Sequence, residues 1–502
     1  MHKKIILLTM AGVTSLVTLD TTIVGVALPS IAASLHATFA DVQWVIGGYV
    51  LCFASLLTPA GVLGDHRGRR GAVLAGVSIF AIASLLCGIA QSATLLTAAR
   101  VLQGIGAAFL PSAALGVIGH TFRGPERARA FGIWGAVTGV AIISGPIVGG
   151  VITSLLGWRW TFLVNIPLCA VLIVCIVRWI PDSRDPGAER YDIGGGVTFC
   201  GALFLLTWSL IDPHVLALRL GGAAIMLAAF VAIERRHSYP MLDLELFKQP
   251  AFLGAVAAMV GYSAAAQVLM FFLPLYLQNA FGFSPLASGA AMLPFAIPLF
   301  VIPRIAARTS VRHGSRFVLA WGLVLVAAGD LLLAWSAPML SYPVFALAMG
   351  VTGIGAGALN GETVQTLQGA FPPERGGMAG GLGATVRFTS ILLAVALLGA
   401  VLSHAATIDF TRRAGQLALP LDVSGLMRRV IAGDAAAALV DLPASERMSV
   451  AGIAHAAVAS GIEWLMFAAG LVAAGSSALT WRLLPAGSPA SRRELTPLVV
   501  AD

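Results

Sequence analysis

Long apolar segments recur fourteen times along this sequence and leave few residues for anything else. A helix of about twenty apolar residues crosses the hydrocarbon core of a bilayer. The chain is 58% hydrophobic and only 11% charged, whereas soluble proteins carry about 25% charged residues. These properties exclude a soluble multidomain protein and predict an all-α membrane protein with fourteen transmembrane helices. The predicted spans cover residues 5–31, 44–63, 73–92, 95–119, 130–154, 161–180, 193–212, 216–234, 252–279, 286–306, 316–336, 342–367, 377–403 and 455–483.

Basic residues fall mainly in the loops between these segments. The loop Gly61–Arg70 places Asp65, Arg67, Arg69 and Arg70 between two apolar runs, and such a cluster cannot cross a bilayer. Placing this loop in the cytoplasm puts most of the 31 Lys and Arg residues, and both termini, on the cytoplasmic side. The net charge of +8 is therefore explained by topology, and nucleic-acid binding has no remaining support.

The cysteines give no sign of a metal site or a disulfide. They lie in or beside apolar runs, without CxxC spacing and without nearby histidine ligands, so we expect free, packed thiols. They are Cys52, Cys87, Cys169, Cys175 and Cys200.

Polar connections divide the spans into two groups of six with a pair between them. We predict an N-terminal six-helix bundle at 1–180, a linker with two extra helices at 181–250, and a C-terminal six-helix bundle at 251–502. The basic stretch Pro303–Arg316 occupies in the second half the place of Gly61–Arg70 in the first. Weak internal symmetry of this kind is typical of transporters built from repeated halves.

A long extracytoplasmic loop at 404–450 precedes the last span. Part of it has helical spacing, which predicts a short amphipathic helix on the membrane face; the alternative is an irregular loop. In this stretch Leu426, Met427, Val430 and Ile431 alternate with Arg428, Arg429 and Asp434.

Asp20 lies deep in the first span and is the strongest candidate for a functional residue. A carboxylate there is costly unless it is paired, protonated or facing a water-filled cavity. Arg100 and Gln103 are three residues apart and therefore share one face of the fourth span. Counting residues from the outer ends of the two helices, at about 1.5 Å per residue, places Arg100 close enough in depth to Asp20 for the two side chains to meet. The pair could couple transport to protons, or it could be a fixed ion pair that only joins the first and fourth helices.

The fifth span is rich in small residues. Its spacing permits close contact with a neighbouring helix, and a proline supplies a bend. These residues are Gly135, Gly139, Gly145, Pro146, Gly149 and Gly150.

Three charges in the C-terminal half also fall within spans: Asp330, Glu362 and Arg387. They could form a second site for a proton or a cation, or they could neutralise one another.

Four aromatic residues could line an apolar substrate cavity: Phe271, Phe272, Tyr276 and Phe295. The chain contains no Gly-x-x-x-x-Gly-Lys-Ser/Thr motif, so we expect no ATP hydrolysis and a gradient as the energy source.

Together these residues resemble the major facilitator superfamily, and within it the fourteen-helix drug:proton antiporters. The loop motif of that superfamily is matched at Gly61, Leu63, Gly64, Asp65, Gly68, Arg69 and Arg70, with His66 in place of the usual arginine. The first-span motif is matched at Leu19, Asp20, Thr22, Ile23, Val24, Ala27, Leu28 and Pro29. Arg100 to Ala107 resembles the motif linked to proton coupling. Ser144 to Gly150 resembles the antiporter motif, with Ala141 in place of one glycine, and Trp158 to Pro167 is similar to the stretch that follows it.

The resemblance implies the major facilitator fold and proton-coupled export of amphipathic, often cationic, drugs across the bacterial cytoplasmic membrane. It also implies that Asp20 exchanges protons with Arg100 as its partner, that Asp65, Arg69 and Arg70 lock the two halves on the cytoplasmic side, and that the fifth span bends. We expect no enzymatic activity, no cofactor beyond the proton as coupling ion, and partners limited to small molecules and the bilayer. We expect a monomer, and the long outer loop leaves room for a periplasmic adaptor. The alternatives are a dedicated exporter of one endogenous metabolite or antibiotic, a proton-linked importer, and a non-transporting receptor or scaffold.

Overall fold

The computed structural model describes residues 2–122, 125–182, 192–212, 215–236, 244–369, 376–415, 423–433 and 444–485. Fourteen helices in these residues are long and apolar enough to cross a membrane, and the described residues include no strand. The prediction of an all-α membrane protein with fourteen transmembrane helices is therefore confirmed. The helices are α1 His2–Leu35, α2 Phe39–Arg67, α3 Arg69–Gly88, α4 Ala93–Thr121, α5 Pro125–Leu156, α6 Trp160–Trp179, α7 Ile193–Ile211, α8 Leu216–Glu234, α9 Pro250–Asn279, α10 Pro285–His313, α11 Ser315–Ser336, α12 Tyr342–Gly369, α13 Gly376–Gly415, the short α14 Val423–Ala432, and α15 Ala444–Leu483.

Helix starts follow ordinary capping chemistry where the chain turns back into the bundle. Thr38 and Asp41 form a reciprocal capping box at the start of α2. The hydroxyl of Ser92 accepts a hydrogen bond from the backbone N–H of Leu95, and Ser284 caps α10 in the same way. These caps satisfy N–H groups that have no partner inside the helix.

Two groups of six spanning helices pack around separate interiors. In the first, α4 packs on α2 and α3, and α1 packs on α5; in the second, α12 packs on α10 and α11, and α11 also packs on α15. The inserted helix α7 contacts α2 and α13, while α8 packs mainly on α7. The extra pair is thus attached at one side of the molecule, over the seam between the halves.

Glycine positions reveal the internal repeat at the level of backbone packing. A Cβ atom on Gly76 of α3 would lie 2.9 Å from the carbonyl oxygen of Gly106 in α4. In the second half, a Cβ atom on Gly355 of α12 would lie 2.6 Å from the carbonyl oxygen of Gly322 in α11. Because the same helix pair approaches through glycines in both halves, the repeat is clearer in the structure than in the sequence.

The two ends of the bundle differ. We call the end with the α2–α3 turn the Arg69 end and the end with the α5–α6 turn the Trp158 end. At the Trp158 end the halves touch: a Cβ atom on Gly150 of α5 would lie 2.6 Å from the carbonyl oxygen of Pro285 in α10. The side chain of Gln278 donates to the carbonyl oxygen of Val26 at 2.9 Å, and the N–H of Leu286 donates to the hydroxyl of Ser154 at 3.1 Å. The halves are therefore closed at the Trp158 end.

The prediction of a long loop at 404–450 is wrong for much of its length. Helix α13 continues to Gly415, and α15 already begins at Ala444. Asp409, which is only 5% exposed, accepts hydrogen bonds from Arg412 and Arg413 at helical spacing, and these ion pairs support the extension of α13.

The predicted amphipathic helix exists as α14, but it does not lie on the membrane face. Met427, Val430 and Ile431 are fully or almost fully buried, and α14 packs against α1, α2, α9, α13 and α15. The side chain of Asn279 donates to the carbonyl oxygen of Ile431 at 3.1 Å. Helix α14 thus lies across the closed Trp158 end, where its apolar face is buried by protein instead of lipid. Asp434 and the side chain of Arg428 lie outside the described residues.

Candidate functional site

Asp20 is completely buried inside the first half, where α4 and α6 supply its hydrogen-bond partners. Its Oδ2 atom accepts a hydrogen bond from Arg100 of α4 at 2.6 Å. Its Oδ1 atom accepts from the side chains of Gln103 on α4 and Asn165 on α6, both at 2.9 Å. Both oxygens are satisfied, so the carboxylate is stabilised by one cation and two neutral donors.

Arg100 is equally enclosed, at 2% exposure. Its guanidinium donates to Asp20 and to the side-chain oxygen of Gln103, both at 2.6 Å, and its Nε donates to the carbonyl oxygen of Val45 at 3.3 Å. The guanidinium carbon lies 4.1 Å from the ring centroid of Tyr49, which is a cation–π distance. The sequence expectation that Asp20 and Arg100 can meet is therefore correct, while their role in transport stays a prediction.

Three members of this cluster were not recognised as site residues from the sequence. Ser84 of α3 accepts a hydrogen bond from Gln103 at 2.9 Å, Asn165 donates to Asp20, and Tyr49 lies over Arg100. Asn165 falls in the Trp158–Pro167 motif, which was a usable signal. Single serines and tyrosines inside apolar spans give no such signal, because most of them are ordinary packing residues.

Helix α1 connects Asp20 directly to the closed end. Beginning at Thr22, successive residues of α1 contact α5 and the second half. A Cβ atom on Gly25 would lie 2.8 Å from the carbonyl oxygen of Met270 in α9, and Gln278 of α9 donates to Val26. The contacts that close the Trp158 end therefore lie within two helical turns of Asp20 on α1.

The loop motif binds its own half in this conformation. Arg70 donates to the carbonyl oxygen of Val177 on α6, and the side chain of Arg69 packs on Gly116 of α4. Gly68 has φ +116°, and a Cβ atom there would lie 2.5 Å from a carboxylate oxygen of Asp182, so glycine is required at this turn.

Gly61 and Gly64 let α2 approach its neighbours. Their Cβ positions lie 3.3 Å from the Cβ of Ser112 and 3.1 Å from that of Ala72, respectively. The side chain of Asp65 lies outside the described residues. A lock between the two halves therefore stays a prediction.

The small residues and the proline of the fifth span differ in what they contact. A Cβ atom on Gly145 would collide with Thr22 of α1, one on Gly149 would lie 3.0 Å from the backbone of Ile23, and Gly150 faces α10. Pro146 lies against α10 as well, because a Cβ atom on Gly289 would collide with its carbonyl oxygen. Gly139 faces Phe300 at 3.6 Å. Gly135 has nothing within 4 Å of its Cβ position, so close packing does not account for that glycine.

The three charges of the second half do not neutralise one another. Asp330 is completely buried and accepts one hydrogen bond, from the hydroxyl of Thr352 at 3.2 Å. Glu362 accepts from the hydroxyl of Ser310 on α10. Arg387 donates from Nε to the side-chain oxygen of Gln267 at 2.8 Å. Each thus has its own polar partner on another helix.

The four aromatic residues proposed for the cavity are all buried in this conformation. Tyr276 donates from its hydroxyl to the carbonyl oxygen of Ala337 and packs on Phe345, 4.9 Å between ring centroids, so it belongs to the interior of the second half. Phe271 lies near Gly25 at the seam between the halves. Phe272 and Phe295 are 3% and 1% exposed, and substrate contact by any of the four stays a prediction.

Two repeated six-helix halves, closed against each other at one end and built around an intramembrane carboxylate, define a multi-pass membrane transporter. Comparison with known proteins identifies which kind. The model of the Major Facilitator Superfamily matches residues 10–395. The chain belongs to this superfamily.

Relatives and solved structures agree with this assignment. The chain is 33% identical over 393 residues to the multidrug resistance protein Stp of Mycobacterium tuberculosis, covering 77% of this chain and 73% of the relative. It is 34% identical over 409 residues to the methylenomycin A resistance protein of Streptomyces coelicolor, covering 78% and 86%. A bacterial homologue of the human lysosomal transporter Spinster, solved in an inward-facing, unoccupied conformation, is similar in fold with a TM-score of 0.63 at 18% identity, covering 96% of this chain and 98% of that one.

Gly145→Ala and Gly135→Ala form a matched pair. The first should lower the free energy of unfolding by about 1–3 kcal/mol, because its methyl group collides with Thr22. The second should change it by less than about 0.5 kcal/mol, because its methyl group meets nothing. Thermal unfolding in detergent checks both; equal midpoints for the two variants would contradict the packing that we describe.

Asp20→Asn should lower the free energy of unfolding by about 3–5 kcal/mol, because it leaves the buried Arg100 without its counter-ion. The double variant Asp20→Asn/Arg100→Gln should recover part of this loss, since no charge is then buried. Urea or thermal unfolding of Asp20→Asn, Arg100→Gln and the double variant measures the coupling. Strictly additive losses would show that the two side chains do not interact.

Proposed function

We propose that this protein is a proton-coupled efflux transporter that exports amphipathic drugs or metabolites by alternating access. The observation that carries the proposal is the buried ion pair between Asp20 and Arg100, because Asp20 lies on α1, the helix that also makes the contacts closing the Trp158 end. The relatives are named for multidrug resistance and for resistance to an antibiotic, which favours export of drugs. The antiporter-type packing of α5 on α1 and α10 favours export over import.

The coupling step follows from the contacts of Asp20. A proton on Asp20 removes one charge of the ion pair and turns one carboxylate oxygen from an acceptor into a donor. Arg100 and Gln103 then lose part of their hold on α1. Because α1 makes the contacts to Met270, Gln278 and Gly145, loosening it favours separation at the Trp158 end. Release of the proton restores the pair and favours the closed arrangement described above.

We place the Arg69 end in the cytoplasm and the Trp158 end outside the bacterial cytoplasmic membrane. The support is the excess of Lys and Arg at the Arg69 end. In this orientation α1 begins, and α15 ends, on the cytoplasmic side, and the conformation described here is closed to the outside. Helix α14 is then an extracytoplasmic cover.

Transport by a monomer is the simplest arrangement, since both halves belong to one chain. Helix α14 at the Trp158 end is where a periplasmic adaptor would bind. A second candidate function is export of one endogenous compound, because the Streptomyces coelicolor relative is named for resistance to a single antibiotic.

Transport in proteoliposomes tests the proposal. With an imposed proton gradient, the parent protein should move at least one member of a panel of cationic, neutral and anionic fluorescent drugs. Asp20→Asn/Arg100→Gln should bind the same compound but lose gradient-driven movement, because no group remains to exchange the proton. Gly135→Ala should behave like the parent. Gradient-driven transport that survives in the double variant would remove Asp20 from the coupling role, and no movement of any compound by folded parent protein would refute drug efflux.

Cysteine labelling tests the orientation. Leu156 at the Trp158 end and Val311 at the Arg69 end are 59% and 69% exposed. A membrane-impermeant thiol reagent should label Leu156→Cys in intact cells and Val311→Cys only after permeabilisation, with the parent protein giving the background from its native thiols. The reverse pattern would show that the orientation is inverted.

A further inference from the structure

A second polar cluster lies in the C-terminal half, at the middle of the membrane-spanning helices. It joins α9, α12 and α13: Arg387 donates to Gln267 at 2.8 Å, Ser263 donates to the same oxygen at 3.3 Å, and the hydroxyl of Tyr262 donates to Asn360 at 3.0 Å. We call these five residues the donor cluster. Its chemistry differs from that of the Asp20 cluster, because the donor cluster contains a cation and no carboxylate.

The backbone of α9 is rearranged at this place. Residues Tyr262–Gln267 form a π-helical turn, and the N–H of Val268 donates to the carbonyl oxygen of Ser263 at 3.2 Å, five residues back. Single π turns inside α-helices occur frequently at functional sites. Here the turn places Ser263 and Gln267 together beside Arg387.

The donor cluster contains hydrogen-bond donors that have no acceptor among the described residues. Arg387 uses only Nε, and its two terminal nitrogens make no hydrogen bond to any residue that the structure describes. The oxygen of Gln267 already accepts two hydrogen bonds, while its NH₂ group donates to none of the described residues. Because a guanidinium group and the NH₂ of an amide donate without accepting, the missing partner is a group rich in acceptors.

The described surroundings supply no anion to fill this place. Glu362 is close in sequence to Asn360, but its carboxylate accepts from Ser310 on α10. Asp330 is completely enclosed and bonded to Thr352. On α2 of the other half, the residue that faces this region is Phe53, whose ring meets Phe388 at 4.4 Å. Acidic residues on α2 are twelve positions away in either direction, which is about 18 Å along a helix.

Arg387 is also positioned to meet a substrate. It is half-buried, and its neighbour Phe388 contacts α2, so this stretch of α13 lies at the seam between the two halves. The guanidinium carbon lies 5.7 Å and 5.9 Å from the ring centroids of Tyr262 and Phe388. Aromatic faces next to a cation suit a ligand with an apolar aromatic body and one anionic group.

We propose that the donor cluster binds the anionic group of an amphipathic organic anion, with Arg387 as the group that recognises the charge. This inference rests on the proposed function and names the substrate class of the same transporter. It differs from the expectation of a second site for a cation among Asp330, Glu362 and Arg387, since the carboxyl of Asp330 is enclosed inside the second half. The matching groups are carboxylates, phenolates and sulfonates on an aromatic body.

Binding of an aromatic sulfonate dye to the purified protein in nanodiscs tests the proposal, because a sulfonate stays ionised at every pH used. Arg387→Gln should weaken binding of the sulfonate by about tenfold to a hundredfold, the loss expected for hydrogen bonds to a charged group. The corresponding neutral sulfonamide should bind equally to both proteins. Arg304→Gln, which removes an exposed arginine of the same half, is the matched control and should bind like the parent.

Gln267→Glu keeps the proposal testable if Arg387→Gln fails to fold. The new carboxylate would pair with Arg387 and occupy the anion site from within, so the variant should fold and lose sulfonate binding while it keeps sulfonamide binding. If the contact only joins α9 to α13, the same variant would bind sulfonate normally. Sulfonate binding that is unchanged in Gln267→Glu or in folded Arg387→Gln overturns the inference. Transport of other compounds would still stand in that case, whereas folded parent protein that moves no compound refutes the proposed function itself.

Discussion

The structure of the first half depends on one buried ion pair. Removing Asp20 and Arg100 from water costs free energy that their attraction offsets only when every other hydrogen-bonding position is filled. Gln103 and Asn165 donate hydrogen bonds to the carboxylate. The carbonyl oxygen of Val45 accepts a hydrogen bond from the guanidinium, and the ring of Tyr49 lies against it. Because the ion pair and these partners lie on four helices, the cost of the charges fixes how α1, α2, α4 and α6 pack. On the proposed function, a change of one proton on Asp20 therefore alters the packing of a whole bundle.

Closure at the Trp158 end depends on contacts of the opposite kind. Glycines let α5 approach α1 and α10 backbone to backbone, and among the described residues few hydrogen bonds, such as that from Gln278 to Val26, join the halves at this end. Small-residue contacts give shape complementarity without long interlocking side chains. Separating them requires no side chain to be withdrawn from a deep pocket. Helix α14 adds an apolar cover that contacts both halves. An interface of this kind can hold one conformation and still open within a transport cycle.

Sequence patterns predicted the spans, their number and the meeting of Asp20 with Arg100. Hydropathy and depth along a helix depend only on position along the chain, so the sequence is enough to estimate them. Sequence patterns did not predict which way a side chain points around its helix. For that reason Asp330, Glu362 and Arg387 were grouped as charges that fall within spans, although each has a partner on a different helix. The same limit hid Ser84 and Tyr49, and it hid the burial of α14, whose apolar face fits a membrane surface as well as a protein surface. Tertiary packing decides these questions.

The two halves share a backbone plan but differ in chemistry. Glycines at equivalent places bring α3 onto α4 and α11 onto α12. Within that common frame, the first half contains a carboxylate with all its partners, and the second half contains a guanidinium whose terminal nitrogens meet no acceptor among the described residues. A satisfied ion pair responds to a proton, whereas unused donors respond to a ligand. On the proposed function, the proton and the substrate therefore need not share one site. Helix α1 contacts α9 at Met270, three residues beyond Gln267, so a short stretch of packed helix is enough to connect the two.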